Sequence, residues 1–233
     1  SGGVVIGQIF GVLEAAGIGA LTNAGHLHAY VEASKHAFAD RAKFLADPAS
    51  LKNIQSLLNP EVFQARAANI QDPETFPPEH YGTAPTPNED AGTSHLSVVD
   101  ASGMAVSCTE TINLSWGSCV CVDGFGFMLN DEMDDFTARP GEPNAFGLVQ
   151  SAANAPQPGN RPLSSMSPTI VLRDGKTVAL AGASGGPRII SATSQVLWHM
   201  LHGDDPGTAV RRPRIHHQWM PNIVRCEAEI DLT

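Results

Sequence analysis

Between residues 71 and 92 the chain reads QDPETFPPEHYGTAPTPNEDAG, with five prolines and neither a helical nor a strand period. Proline fixes φ and removes a backbone donor, so neither a long helix nor a central strand can run through such a stretch. It is therefore a linker or an exposed loop, and the chain must fold as two unlike parts on either side of it. Upstream, Val5, Ile9, Leu13 and Ala16 recur at helical spacing over residues 4–16. Leu27, Tyr30, Val31, Phe38 and Leu45 mark a second helix over residues 26–45, which Asp47-Pro48 stops. A third helical piece, EVFQARAANI, follows Pro60. Downstream, HLSVVD and MAVSCTETI form strands joined through Asp100–Gly103, and GFGFML reads as a further strand. PTIVLRDGKTVALAGA is a hairpin around Asp174-Gly175, and residues 188–202 return to helix. Helices, a linker, antiparallel strands and a closing helix predict a layered α+β fold rather than a doubly wound one.

The totals narrow the function classes. A chain of 233 residues with 42% hydrophobic and 16% charged residues can bury a core without staples. A formal net charge of -10, with RRPR at 211–214 as an isolated basic cluster, argues against a nucleic-acid partner. No apolar run approaches the ~18 residues needed to span a bilayer. The chain opens on SGGVVIGQIF without a methionine, so its start says little about compartment. Cys108, Cys119, Cys121 and Cys226 do not form a disulfide framework. Cys119 and Cys121 would flank Val120 on one extended segment, and they read as packed or half-exposed thiols.

Where the linker meets the strands stands Gly92-Thr93-Ser94. An internal threonine hydroxyl is a poor nucleophile because nothing beside it takes its proton. If the bond before Thr93 were cut, its freed α-amino group, with an unperturbed pKa of about 7.7 to 8.0, would be partly neutral near pH 7. It would sit beside the hydroxyl, so one residue would supply nucleophile and base. Gly92 leaves room for a strained turn, and a linker can be cut without unravelling the core. Taken alone, Thr-Ser before a strand is ordinary turn chemistry.

Four other segments bear on that choice. In TETINLSWG, Thr111 and Asn113 are two residues apart on one face of a strand. In LNDEMDDF, Asp131, Glu132, Asp134 and Asp135 crowd four carboxylates together, which calls for a cation nearby. A calcium loop fails for want of glycine at its sixth position and glutamate at its twelfth, leaving a solvated acidic turn as the plain alternative. RPLSSMSPT sets the hydroxyls of Ser164 and Ser165 between two prolines, a pair suited to a carboxylate. GASGGPRII places Gly185 and Gly186 between a strand and a helix, where free amides can stabilise an oxyanion. It lacks the spacing and lysine of a phosphate loop.

Together, GTSHLSVVD, NDEMDDF, RPLSSMSPT and GGPRI, with SGG at the start and PRIHHQW near the end, resemble the γ-glutamyltransferase (γ-glutamyl transpeptidase) family of N-terminal nucleophile hydrolases over essentially the whole chain. The resemblance implies a four-layer αββα sandwich, incomplete at both ends in a piece of a longer precursor. Residues 1–92 would be the C-terminal part of the large subunit and 93–233 most of the small one. Self-cleavage between Gly92 and Thr93 would make Thr93 the nucleophile, with Thr111 holding it. Asn113, Glu132 and Asp135 would bind the substrate α-amino group, Ser164 and Ser165 its α-carboxylate, and the Gly185 and Gly186 amides the oxyanion. The implied substrate is a glutathione-like γ-glutamyl donor, with water, an amino acid or a peptide as acceptor. The two pieces would stay paired, without a cofactor or metal, in the periplasm or outside the cell.

Two departures stand out. The family's upstream arginine for the α-carboxylate has no counterpart here. Phe146 stands where bacterial relatives often carry a lid tyrosine, which implies a looser lid. The rivals are a related acylase of the cephalosporin-acylase kind and an uncleaved, non-catalytic domain; a metalloenzyme is the weakest. His26 and His28, and adjacent His216 and His217, lack metal spacing and read as structural or surface groups. His95 is expected to pack beneath the site, and Trp116, Trp198 and Trp219 to anchor core or interface.

Overall fold

In a computed structural model, the described residues are 1–51, 53–70, 75–82, 93–227 and 230. The apolar stripes become helices α1 (Gly2–Ala15) and α2 (Ala24–Phe44), followed by α3 (Pro60–Ile70). On α1, Val5, Ile6, Ile9, Val12 and Leu13 face inward, each 5% exposed or less. Burying side chains of this size contributes roughly 1.5–3 kcal/mol apiece. Asn23 caps α2 by accepting from the His26 amide at 2.9 Å, meeting one of the orphan donors of its first turn.

The core is continuous across residue 93. Tyr30, Phe38, Ile9 and Leu13 share one cluster with Leu163, Ile190, Trp198 and Ile215. Ile190 and Trp198 lie on α5 (Arg188–Leu201), which follows a one-turn helix α4 (Pro78–Tyr81) and precedes α6 (Pro206–Arg211). Polar ties reinforce that junction. The Tyr30 hydroxyl is 2.7 Å from Ser194 Oγ, and Trp198 Nε1 donates to Gly19 O at 2.8 Å. Tyr30 is fully buried, so Tyr30→Phe strips a buried partner from Ser194. It is expected to lower unfolding stability by about 1–2 kcal/mol in urea denaturation, with an unchanged midpoint counting against this tie.

Two antiparallel hairpins carry the strands. β1 (Thr93–Val99) pairs with β2 (Ala105–Thr111) in the register Thr93↔Thr111 to Val99↔Ala105. The turn closes on Asp100, whose Oδ1 accepts from Ser102 N at 2.8 Å and Met104 N at 3.0 Å. β3 (Thr169–Arg173) pairs with β4 (Lys176–Ala181), with a register irregularity at Val171/Leu172. Asp174 and Gly175 both have positive φ, 51° and 74°, the geometry of a type I′ turn. Ser107 Oγ reaches Ala181 O at 3.4 Å, linking the hairpins. A short pair, β5 (Ile215–His216) with β6 (Arg225–Cys226), lies beyond α6.

The fold is α+β, a part of the expected sandwich. The strand beginning at Thr93 is less buried than its apolar residues suggest. Val98 and Val106 are 55% and 50% exposed, because the outer face of this hairpin has no covering layer among the described residues. GFGFML is not a strand. Gly124 and Gly126 turn the chain with φ of 75° and 74°, only Cys121 and Met128 form a bridge, and Phe125 stands exposed. Trp116 is 71% exposed, unlike buried Trp198 and Trp219. Part of the proline-rich stretch is not loose either. Thr75 Oγ1 donates to Glu32 Oε1 at 2.7 Å, Tyr81 bonds Glu32, and Gly82 packs so close to the Trp219 indole that a Cβ there would clash with it. All four cysteines are free and exposed. No described helix is long and apolar enough to cross a membrane.

Candidate active site

Thr93 stands at the first position of β1 because Thr111, its register partner, ends β2. The Thr93 hydroxyl donates to Thr111 Oγ1 at 3.1 Å, and that oxygen also accepts from the Asn113 amide at 2.9 Å. Asn113 leaves the strand in a left-handed conformation, φ 74°, which asparagine tolerates better than most residues. The acidic segment folds back onto this corner. Leu114 N donates to Asp131 Oδ1 at 3.1 Å, and Asn113 Nδ2 to Asp131 O at 3.3 Å. A single 3₁₀ turn, Glu132–Asp135, follows.

That turn aims two carboxylates differently from their neighbours. Asp135 is 5% exposed, and burial pushes its pKa up to about 7 despite Arg41, with Glu132, Asp134 and Asp131 adding to the rise. Burial, then Asp131, also raises Glu132. Glu132 Oε1 is buried without a hydrogen-bond partner among the described residues. Two carboxyls held above their ordinary range form a place where a cation would be stabilised.

The serine pair is built with the opposite polarity. A serine hydroxyl has one proton to donate and two lone pairs. Ser164 Oγ accepts from Met166 N at 3.1 Å, and Ser165 Oγ accepts from Arg41 Nη2 at 3.1 Å. With their oxygens engaged by protein donors, both hydroxyl protons are left to point at an anion. Arg41 itself is 1% exposed and donates also to Leu163 O at 2.9 Å. Burial lowers its pKa to about 10, and Asp135 opposes that shift. Asp47 fixes the start of this loop from outside, accepting from Arg161 N at 3.0 Å.

Gly185 and Gly186 complete the wall. Both have positive φ, 120° and 53°, a conformation that suits glycine. Their carbonyls accept from Arg188 N and Ile189 N as α5 begins. A Cβ on Gly186 would fall 2.7 Å from Phe146, so the phenylalanine ring roofs the glycine.

One small cavity collects these parts: Thr93, Thr111, Asn113, Asp135, Phe146, Ser164, Ser165 and Gly186 line it with Met166 and Ile189. Glu132, three residues before Asp135, and Gly185, next to Gly186, do not line it, and Gly92 lies outside the described residues. Its room is about 20 Å³, enough for a water-sized occupant, because Phe146 at 5% exposure closes it. A larger cavity, about 760 Å³, lies elsewhere, between β1, α5, α6 and β6, and none of the predicted site residues line it. His95 faces that side. It bonds Thr109 Oγ1 and Ser97 Oγ at 2.8 and 2.9 Å, and Gly182 packs on its ring. His216 and His217 are buried structural groups, with burial lowering both pKa values to about 4. Among the described residues no cluster of His, Cys, Asp and Glu could hold a metal.

Two residues of this neighbourhood escaped the sequence reading. Arg41 had a legible signal: it lies three residues after Phe38 and four before Leu45, a charge on the apolar stripe of α2. Asn144 had none. It sits in a loop, and its partners are visible only in three dimensions.

The sequence profile described as "Gamma-glutamyltranspeptidase" matches residues 1–232. A "Glutathione hydrolase proenzyme" of Pseudomonas sp. (strain A14) is 44% identical over 232 residues, covering 98% of this chain and 40% of that protein. Its namesake in Escherichia coli (strain K12) is 40% identical over 235 residues, covering 97% and 40%. The crystal structure of a mutant Helicobacter pylori γ-glutamyltranspeptidase matches with a TM-score of 0.55 at 50% identity, over 57% of this chain and 72% of that one. This chain thus spans about 40% of the length of the curated relatives it matches. With the profile covering nearly every residue, the chain belongs to the γ-glutamyltranspeptidase family.

Proposed function

We propose that these residues carry the nucleophile and most of the donor site of an autoprocessing γ-glutamyl hydrolase/transferase, acting within a longer precursor. The observation that carries the reading is the convergence of Thr93, Thr111, Asn113, Asp135, Ser164, Ser165 and Gly186 on one cavity. Residues 1–92 and 93–233 are proposed as parts of two subunits made by scission between Gly92 and Thr93. The core shared by α1, α2 and α5 supports their staying together afterwards.

In the proposed reaction the Thr93 hydroxyl adds to the γ-carbonyl of a glutathione-like donor, and its proton passes to the freed Thr93 amine. Thr111 aligns the hydroxyl. The Gly185 and Gly186 amides take up the oxyanion. Collapse breaks the γ-amide bond, the leaving amine receives the proton, and a γ-glutamyl ester stays on Thr93. Water or an acceptor amine then attacks that ester and regenerates the hydroxyl. The raised carboxyls of Asp135 and Glu132, with Asn113, suit the donor's α-ammonium, and the serine hydroxyls suit its α-carboxylate. The cavity's small room means that Phe146 must lift for a donor to enter.

This pairing of an anionic and a proton-donating subsite favours an amino-acid-like acyl group over the simple acyl groups of related acylases. The test is to quench the matured enzyme in acid during turnover of a γ-glutamyl anilide and to map the acyl group by peptide mass spectrometry. The ester is expected on Thr93, and the matching glutaryl anilide, which lacks the amine, should acylate far more slowly. Acylation of another side chain refutes the reading, and equal acylation by both anilides favours the acylase.

A further inference from the structure

Asn144 belongs to the loop between the acidic turn and the serine pair, and its side chain is used at both ends. Its Oδ1 accepts from Phe146 N and Leu148 N, both at 3.0 Å. Its Nδ2 donates to Asp135 Oδ1 at 3.2 Å. The backbone closes the same turn: Asn144 N donates to Leu148 O at 3.1 Å, and Gly147 N to Asn144 O at 2.9 Å. The amide orientation follows from its partners. Two backbone N–H groups demand the oxygen on one side, and an ionised carboxylate accepts only from the nitrogen on the other.

This turn is what holds Phe146 in place. Its ring packs on Gly186, where a Cβ would stand 2.7 Å from Cδ1, and both residues line the cavity with Asp135. One planar amide therefore joins the roof over the glycine pair to the carboxylate assigned to the donor's amino group.

We propose that Asn144 is a positioning residue that makes the Phe146 roof and the Asp135 subsite a single unit, so that recognition of the donor's α-amino group and closure over the oxyanion donors are coupled. The inference rests on the donor-site reading above and extends it to a residue outside the reacting set.

Aspartate at this position separates the two halves of the role. Asn144→Asp keeps an oxygen for Phe146 N and Leu148 N, and so the turn, but replaces the donor to Asp135 with a second negative charge. Asp135 is already faced by Arg41 from α2 and by Asp131, Glu132 and Asp134 of its own turn. Another carboxylate beside it pushes its titration upward. Asn144→Ala removes both halves and should loosen the roof as well.

The experiment measures competitive inhibition of the matured full-length enzyme by L-glutamate and by glutarate, which is the same diacid without the amine, at pH 7 and pH 8.5. Wild type is expected to prefer glutamate. Asn144→Asp should cut that preference about tenfold at pH 7, the scale of one charge-assisted contact, with recovery at pH 8.5 and little change in glutarate binding. Asn144→Ala should weaken both inhibitors. If Asn144→Asp weakens both equally, or leaves the preference unchanged at both pH values, Asn144 merely shapes the loop and the coupling is refuted. Should wild type itself not distinguish the two diacids, the amino subsite reading falls, and this inference with it.

Discussion

Thr93→Ala is expected to leave the precursor uncut and to reduce γ-glutamyl transfer by at least about ten-thousandfold, the scale seen when a covalent nucleophile is removed. Both losses have one origin. On the proposed reading the Thr93 hydroxyl, 3.1 Å from Thr111 Oγ1, would attack the Gly92 carbonyl during maturation and the donor carbonyl afterwards. Alanine removes it while β1 keeps its register, since every pairing from Thr93 to Val99 is made by backbone. Intact mass over time is the readout. Wild type should separate into two pieces ending at residue 92 and beginning at residue 93, and the alanine variant should stay whole. Thr93→Ser retains an oxygen and should still cleave, more slowly. Scission of the alanine variant at the same bond would assign the cut to another protease, and a wild-type protein that stays whole would favour the non-catalytic domain.

The second large effect concerns stability and its pH dependence. Arg41→Met fills much of the same volume, but it removes a buried guanidinium that donates to Leu163 O and Ser165 Oγ and faces buried Asp135. Leaving those two buried acceptors without their donor costs about 1–3 kcal/mol each. The cost must grow with pH. Asp135 is held up to about 7 from an ordinary 3.8, so the stability tied to its neutral form is complete below about pH 4. It is lost as pH rises through about 7. Arg41 opposes that loss by favouring the ionised carboxyl. Urea denaturation should therefore show a larger penalty for Arg41→Met at pH 8 than at pH 5. An equal penalty at both would mean that packing, not charge, accounts for Arg41. Glutamate inhibition should weaken too, because Ser165 loses the donor that turns its proton toward the cavity.

Much of the framework was legible before any coordinates. Apolar spacing placed α1, α2 and α5, and Asp174-Gly175 marked the β3–β4 turn, because these features depend on neighbours a few residues apart. Other local readings failed for equally local reasons. GFGFML has the apolar content of a strand, but two left-handed glycines turn it back on itself. The proline-rich stretch has no period, yet Thr75 and Tyr81 find buried Glu32 on α2, a partner that no short window contains.

By itself the order of residues determined which segments are helix, turn and strand, and which short motifs hold hydroxyls, carboxylates and glycines. Spacing along a chain says what a segment prefers, because those preferences come from local sterics and local hydrogen bonds. Tertiary packing alone decided the rest. Docking α2 and α5 around one core set Arg41 behind Ser165, across 124 positions of sequence. It also brought Asn144 against Asp135 and laid Phe146 over Gly186. Those contacts arise from the burial of surfaces far apart in the chain. They settle which lone pairs are occupied and which protons remain for a ligand.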